Sequence, residues 1–130
     1  MSLILHTRPD RLPARAIRLT HTFGLGGIAL VLFGLLVLTG ILMMFSYDPS
    51  PERAWASVDS YQRETLFGGL VRGVHFWSAN LLLPVVVLHL LRVFLTGGFH
   101  GRRRSNWHLG LGIAFFVFLS GFTGYLLPWD

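Results

Sequence analysis

His75 and His89 stand fourteen residues apart inside one apolar stretch, Gly73 to Leu91. An imidazole nitrogen is a good ligand for iron, copper, nickel and zinc. On an α-helix fourteen residues make just under four turns, which puts both rings on nearly the same face, ~21 Å apart along the axis. An ionisable residue inside a membrane span is costly and marks a functional site by default. Two on one face, one toward each end of the span, suit two haem irons stacked across a bilayer.

Such a helix needs neighbours that leave room for a flat macrocycle. Gly26 and Gly40 lie fourteen apart in one apolar run, and Gly110 and Gly124 lie fourteen apart in another. Glycine also lets helices approach closely in membranes without any cofactor, and fifteen glycines make some coincidence expected. The same period on three runs favours the cofactor. Arg72 stands three residues before His75 and Arg92 three after His89. Each therefore lies about one turn outside a ligand, where a guanidinium pairs with an anionic propionate. The alternative for either arginine is snorkelling to mark a helix end.

The elements that hold these residues are three runs long enough to cross ~30 Å of hydrocarbon as helices. They are Thr22 to Tyr47, Gly73 to Leu95, and Trp107 to Leu127, the last closed by Pro128. Pro84 interrupts the second and is read as a structural kink. Between the first two, Asp48-Pro-Ser-Pro is a turn, and Trp55, Val58, Tyr61 and Leu66 suit a segment on the membrane surface. Gly97-Gly98 ends the second helix. The fold class is all-α integral membrane: three transmembrane helices, the first three of a four-helix bundle.

Composition agrees. Of 130 residues 52% are hydrophobic and 13% charged, outside the soluble range. The net charge of +5 comes from eleven arginines and no lysine, clustered beside apolar runs, so membrane topology explains it and nucleic acid is not a partner. The absence of cysteine excludes disulfides, thiolate clusters and thioether-attached haem. The first apolar run is too long for a signal-peptide core and reads as a retained anchor. Residues 1–21, with Arg8, Arg11, Arg15 and Arg18, form a basic interfacial segment, and 22–130 the haem-bundle domain. Arg102, Arg103 and Arg104 set topology, anionic lipid being the other reading. The charges place the N-terminus and the Gly97–Asn106 connector on the cytoplasmic side.

Among the other histidines, His6 and His100 read as solvated. His21 and His108 sit at the cytoplasmic mouths of the first and third spans, where interfacial packing and a quinone or proton role are both open. Phe76, Trp77, Phe115, Phe116 and Phe118 suit either porphyrin or lipid.

The chain resembles the N-terminal part of cytochrome b from quinol-oxidising bc and bf complexes, most of all the split form of bf complexes. The matching text is Arg72-Gly-Val-His-Phe-Trp-Ser-Ala, His89-Leu-Leu-Arg-Val-Phe-Leu-Thr-Gly-Gly-Phe and Gly121-Phe-Thr-Gly-Tyr-Leu-Leu-Pro-Trp-Asp130. Leu25-Gly-Gly-Ile-Ala-Leu and Leu38-Thr-Gly-Ile align as well, so the likeness runs from about residue 18 to the end.

This resemblance implies two non-covalent b-type haems: His75 on the low-potential haem near the outer side, His89 on the high-potential haem near the cytoplasm. It implies Arg72 and Arg92 on propionates, Gly26, Gly40, Gly110 and Gly124 clearing the haems, and Trp107 near the inner one. Quinol is then the substrate, the catalytic residues are unassigned, and the chain is an electron-transfer subunit that is not catalytic alone. Implied partners are iron–sulfur and c-type cytochrome subunits, membrane lipid, and a chain or segment supplying a fourth helix with the opposite haem ligands. The implied location is the bacterial plasma membrane or an equivalent energy-transducing membrane. Two departures stand out. The 130 residues stop before the fourth helix, and Gly24 occupies the place where bf-type proteins carry a cysteine for an extra haem. Two other readings fit the residues: a haem-bearing membrane anchor of a dehydrogenase or hydrogenase, and a cofactor-free structural or assembly subunit.

Overall fold

The computed structural model describes residues 23–128, Arg102 by its backbone alone. The basic segment 1–21, with His6 and His21, and the terminal Trp129 and Asp130 lie outside the described residues. Helix α1 spans Leu25–Met44, α2 Ala54–Glu64, α3 Gly68–Leu95 and α4 Arg104–Leu126, with a 3-10 turn at Gly101–Arg103 before α4. No strand occurs among the described residues. Helices α1, α3 and α4 are each long and apolar enough to cross a membrane. At ~1.5 Å per residue, the 20 residues of α1 cover the hydrocarbon slab with little to spare. The 28 of α3 and 23 of α4 project beyond it.

Those projections account for where the helices depart from their hydropathy. Helix α3 begins at Gly68, five residues before the apolar run expected at Gly73, with Gly69, Leu70, Val71 and Arg72 already helical. Helix α4 begins at Arg104 rather than Trp107, since Arg104, Ser105 and Asn106 are polar yet helical. Phe67 takes the left-handed conformation (φ 61°) ahead of Gly68, where a Cβ would collide with the Tyr61 carbonyl. At the other end, the N–H of Gly97 donates to Phe94 O (3.0 Å) and that of Gly98 to Val93 O (2.9 Å). This is a Schellman stop, and the φ of 67° at Gly97 is what glycine permits there. Helix α3 continues through Pro84.

The Asp48–Phe67 connector holds a helix of its own. The Arg53 and Ala54 N–H groups donate to Ser50 O, and the Asp48 N–H donates to Ser57 Oγ (3.1 Å), folding the turn onto α2. Ala54 and Tyr61 are buried, whereas Trp55 is exposed. Arg53 pairs with Asp48 (3.3 Å) and Arg63 with Asp59 (2.8 Å), both solvent-facing and worth little individually. The backbone N–H of Ser50 reaches Asp48 Oδ1 at 3.0 Å. With the Arg53 charge adding to it, this bond holds the Asp48 carboxyl below the usual carboxylate value.

Helix α1 packs along α3, while α4 leans on α3 less closely. Tyr47 reaches from the end of α1 to donate to Leu127 O (2.7 Å), fastening the first span to the end of the third. The large apolar side chains of all three spans remain mostly exposed, and α4 buries none of its residues. A helix apolar on all sides with no partner over most of its surface is built for lipid or for further helices.

Candidate haem-binding site

The two histidines of α3 meet the two glycines of α1 in antiparallel register. A Cβ on Gly26 would stand 3.2 Å from His89 Cε1, and one on Gly40 would stand 3.4 Å from His75 Cε1. The equal fourteen-residue spacings thus become two stations, each an imidazole laid across a bare stretch of backbone. A methyl group at Gly26 would be tighter than ordinary van der Waals contact, and one at Gly40 would just reach that contact.

The stations differ in what surrounds the ring. Beside His75 stands Thr39, a buried hydroxyl on α1 with 5% exposure. Thr39 Oγ1 lies 2.8 Å from His75 Nδ1 and donates to Leu35 O at 2.6 Å. Beside His89 nothing corresponds. Its Nδ1 is buried without a hydrogen-bond partner among the described residues. A buried ring nitrogen left unmatched carries a desolvation cost that a ligand or a reoriented ring relieves.

Arg72 and Arg92 lie at opposite ends of α3. Arg72 donates from Nη1 to Gln62 Oε1 of α2. With Trp55, Val58, Asp59, Gln62 and Pro128 it lines a cavity of about 250 Å³ at the His75 end. Arg92 sits in the last turn of α3, beyond His89. Trp107 is at that same end, its ring centroid 5.8 Å from Phe99 and 6.3 Å from Phe94. The glycines of α4 do not reach a histidine: a Cβ on Gly110 would meet Leu90 Cδ2 at 3.6 Å, and one on Gly124 would meet open space.

The remaining described histidines belong to their own turns. His108 Nδ1 lies 2.8 Å from Arg104 O, and exposed His100 packs on Phe99 with Nδ1 3.1 Å from Gly97 O. Phe76, Trp77, Phe115, Phe116 and Phe118 are all more than half exposed. No group of three or more His, Cys, Asp or Glu able to hold a metal ion occurs among the described residues.

Sequence reasoning named the histidines, arginines and glycines but missed Thr39, Gln62 and Tyr47. The signal at Thr39 was a hydroxyl next to a spaced glycine, unmatched at Leu25, the residue next to Gly26.

Fold and site together define an all-helical integral membrane protein with paired histidine stations along one helix. The family model described as Cytochrome b/b6/petB matches residues 12–130. The chain belongs to the cytochrome b/b6 family. It is 44% identical over 106 residues to a cytochrome b6 of Prochlorothrix hollandica, covering 82% of this chain and 48% of that protein. It is 43% identical over 108 residues to a cytochrome b6 of Heliomicrobium gestii, covering 83% of this chain and 51% of that protein. The chain thus spans about half the length of these curated relatives. It superposes on a chain of a hyperthermophilic respiratory Complex III with a TM-score of 0.79 and 28% identity, over 97% of this chain and 30% of that one.

Proposed function

We propose that the protein carries electrons across an energy-transducing membrane as the cytochrome b subunit, or part of it, of a quinol-oxidising complex. The observation that carries this reading is the pair of stations: His75 over Gly40 and His89 over Gly26, on one face of one spanning helix. Both stations fit a non-covalent b-type haem. Each has a side-chain ligand, a backbone cradle that a Cβ would crowd, and at His89 a buried ring nitrogen with no partner among the described residues.

Bound haem supplies a one-electron ferric/ferrous couple; binding, orientation and electrostatics come from the protein. His75 and His89 would each hold one haem iron, and their separation of ~21 Å along the helix would set the two groups toward opposite membrane surfaces. Gly26 and Gly40 keep α1 off the macrocycles, and the open flank of Gly124 with the lightly filled one at Gly110 gives room on α4. Arg72 and Arg92 would pair with the propionates at the two ends, Arg72 in place of its bond to Gln62. Trp107 closes the His89 end. A further helix supplying the remaining iron ligands would find room on the exposed side of the bundle.

The arginine distribution orients the chain with its N-terminus and the Gly97–Asn106 connector on the cytoplasmic side of a bacterial plasma membrane, or its equivalent. His75 then serves the outer haem and His89 the inner. Quinol gives up its electrons at the outer side, with iron–sulfur and c-type cytochrome subunits as the further partners. The test is the absorption spectrum and haem content of the complex purified from membranes with this chain. Two six-coordinate b-type haems per chain are expected; a complex holding this chain and no haem overturns the reading.

A further inference from the structure

We infer that Thr39 is a positioning residue for His75: its hydroxyl accepts the Nδ1 proton, leaves Nε2 free for iron and makes this imidazole more electron-rich than that of His89. The inference rests on the haem reading above and concerns how the two stations differ. A threonine hydroxyl has one proton. In α1 that proton is committed to Leu35 O at 2.6 Å, the usual back-bond of a helical threonine. The contact of 2.8 Å between Oγ1 and His75 Nδ1 is then a bond in which the ring donates. With the proton on Nδ1, the lone pair available to a metal is on Nε2.

A hydrogen bond from the distal N–H of a ligating histidine fixes ring orientation and raises ligand basicity. A more basic ligand stabilises ferric over ferrous iron, which lowers the midpoint potential of that haem. Thr39 is placed to do this because it is buried, adjacent to the cradle glycine, and held by its own helix. The other station has the same glycine and the same fourteen-residue offset, but Leu25 replaces the threonine and the Nδ1 of His89 has no partner among the described residues. The two-fold repeat of ligands and glycines is therefore broken at the residue next to the ring, and the asymmetry biases the His75 haem toward the lower potential.

The experiment is a redox titration of both haems in the membrane-purified complex carrying Thr39→Val, Thr39→Ala or Thr39→Ser, with low-temperature EPR of the ferric haems. Loss of the hydroxyl in the valine variant is expected to raise the potential of the His75 haem. The ferric/ferrous ratio should change by about threefold, ~30 mV where ~59 mV is tenfold for one electron. The His89 haem should stay in place, and the serine variant should behave as wild type. If valine does not assemble, alanine is titrated instead. Loss of the His75 haem from the valine and alanine variants, with serine retaining it, also supports the role. An unshifted His75 haem, equal shifts at both haems, or a serine variant that moves as far as valine overturns it. A wild-type complex with two haems and no effect at Thr39 refutes this inference alone, whereas a wild-type complex without haem refutes the reading beneath it.

Discussion

The His75 and His89 stations share a plan and differ in finish. Both place an imidazole against an α1 glycine, in antiparallel register, on a helix that continues past the membrane slab. At His75 the ring is tied by Thr39, and the end of the bundle is closed by α2, with Arg72 engaged to Gln62 over a cavity of about 250 Å³. At His89 the ring nitrogen Nδ1 has no partner among the described residues, and the end of the bundle beyond it carries a cluster of Phe94, Phe99 and Trp107. Repeating a histidine and a glycine every fourteen residues duplicates a local geometry, and changing the residue next to the glycine individualises it.

The largest way to break the comparison is to remove one ligand. His75→Ala should eliminate the haem of that station and leave the other, and His89→Ala the reverse, read as halved haem content with one redox transition surviving. Either variant losing both haems would mean the stations are not independent. Crowding the cradles comes next. Gly26→Val and Gly40→Val overpack a site already near contact, a cost of about 1–3 kcal/mol, or roughly fivefold to 150-fold in haem retention. Alanine sharpens the ranking, because a Cβ at Gly26 is closer to its ring (3.2 Å) than one at Gly40 (3.4 Å). Gly26→Ala should thus cost the inner haem more than Gly40→Ala costs the outer one, measured as haem per chain after purification.

Smaller effects are expected from the arginines. Arg72→Gln should weaken retention of the His75 haem about tenfold, consistent with losing one charge-assisted bond of ~1.5 kcal/mol, while leaving the His89 haem unaffected. Dissociation rates in detergent, measured haem by haem, check this. The smallest effect concerns the connector at the His75 end. Folding lowers the Asp48 pKa, so its stabilising contribution is present above the unfolded value near ~3.9 and is lost as pH falls through the lower folded value. Asp48→Asn should reduce amide-exchange protection at Ser50 at neutral pH and match wild type in strong acid.

The spans, and the two histidines set against equally spaced glycines, were legible in the sequence because a bilayer imposes a length and an α-helix imposes a period. Helix ends were not, since hydropathy marks the apolar run whereas polar Arg72 and Arg104 to Asn106 are helical as well. The α2 helix was hidden by its mixed pattern, in which buried Tyr61 alternates with charged residues. Which glycine serves which histidine depends on the antiparallel packing of α1 on α3, and spacing alone is symmetric to that choice. Thr39 was overlooked because a lone hydroxyl in an apolar run is ordinary; only the distance to His75 Nδ1 distinguishes it.

The most direct measurement is a cryo-EM density map of the assembled membrane complex around α3. Two plate-shaped densities are expected, one joined to a ring nitrogen of His75 beside Gly40 and one to a ring nitrogen of His89 beside Gly26. Lipid or side chains filling both spaces would contradict the haem assignment.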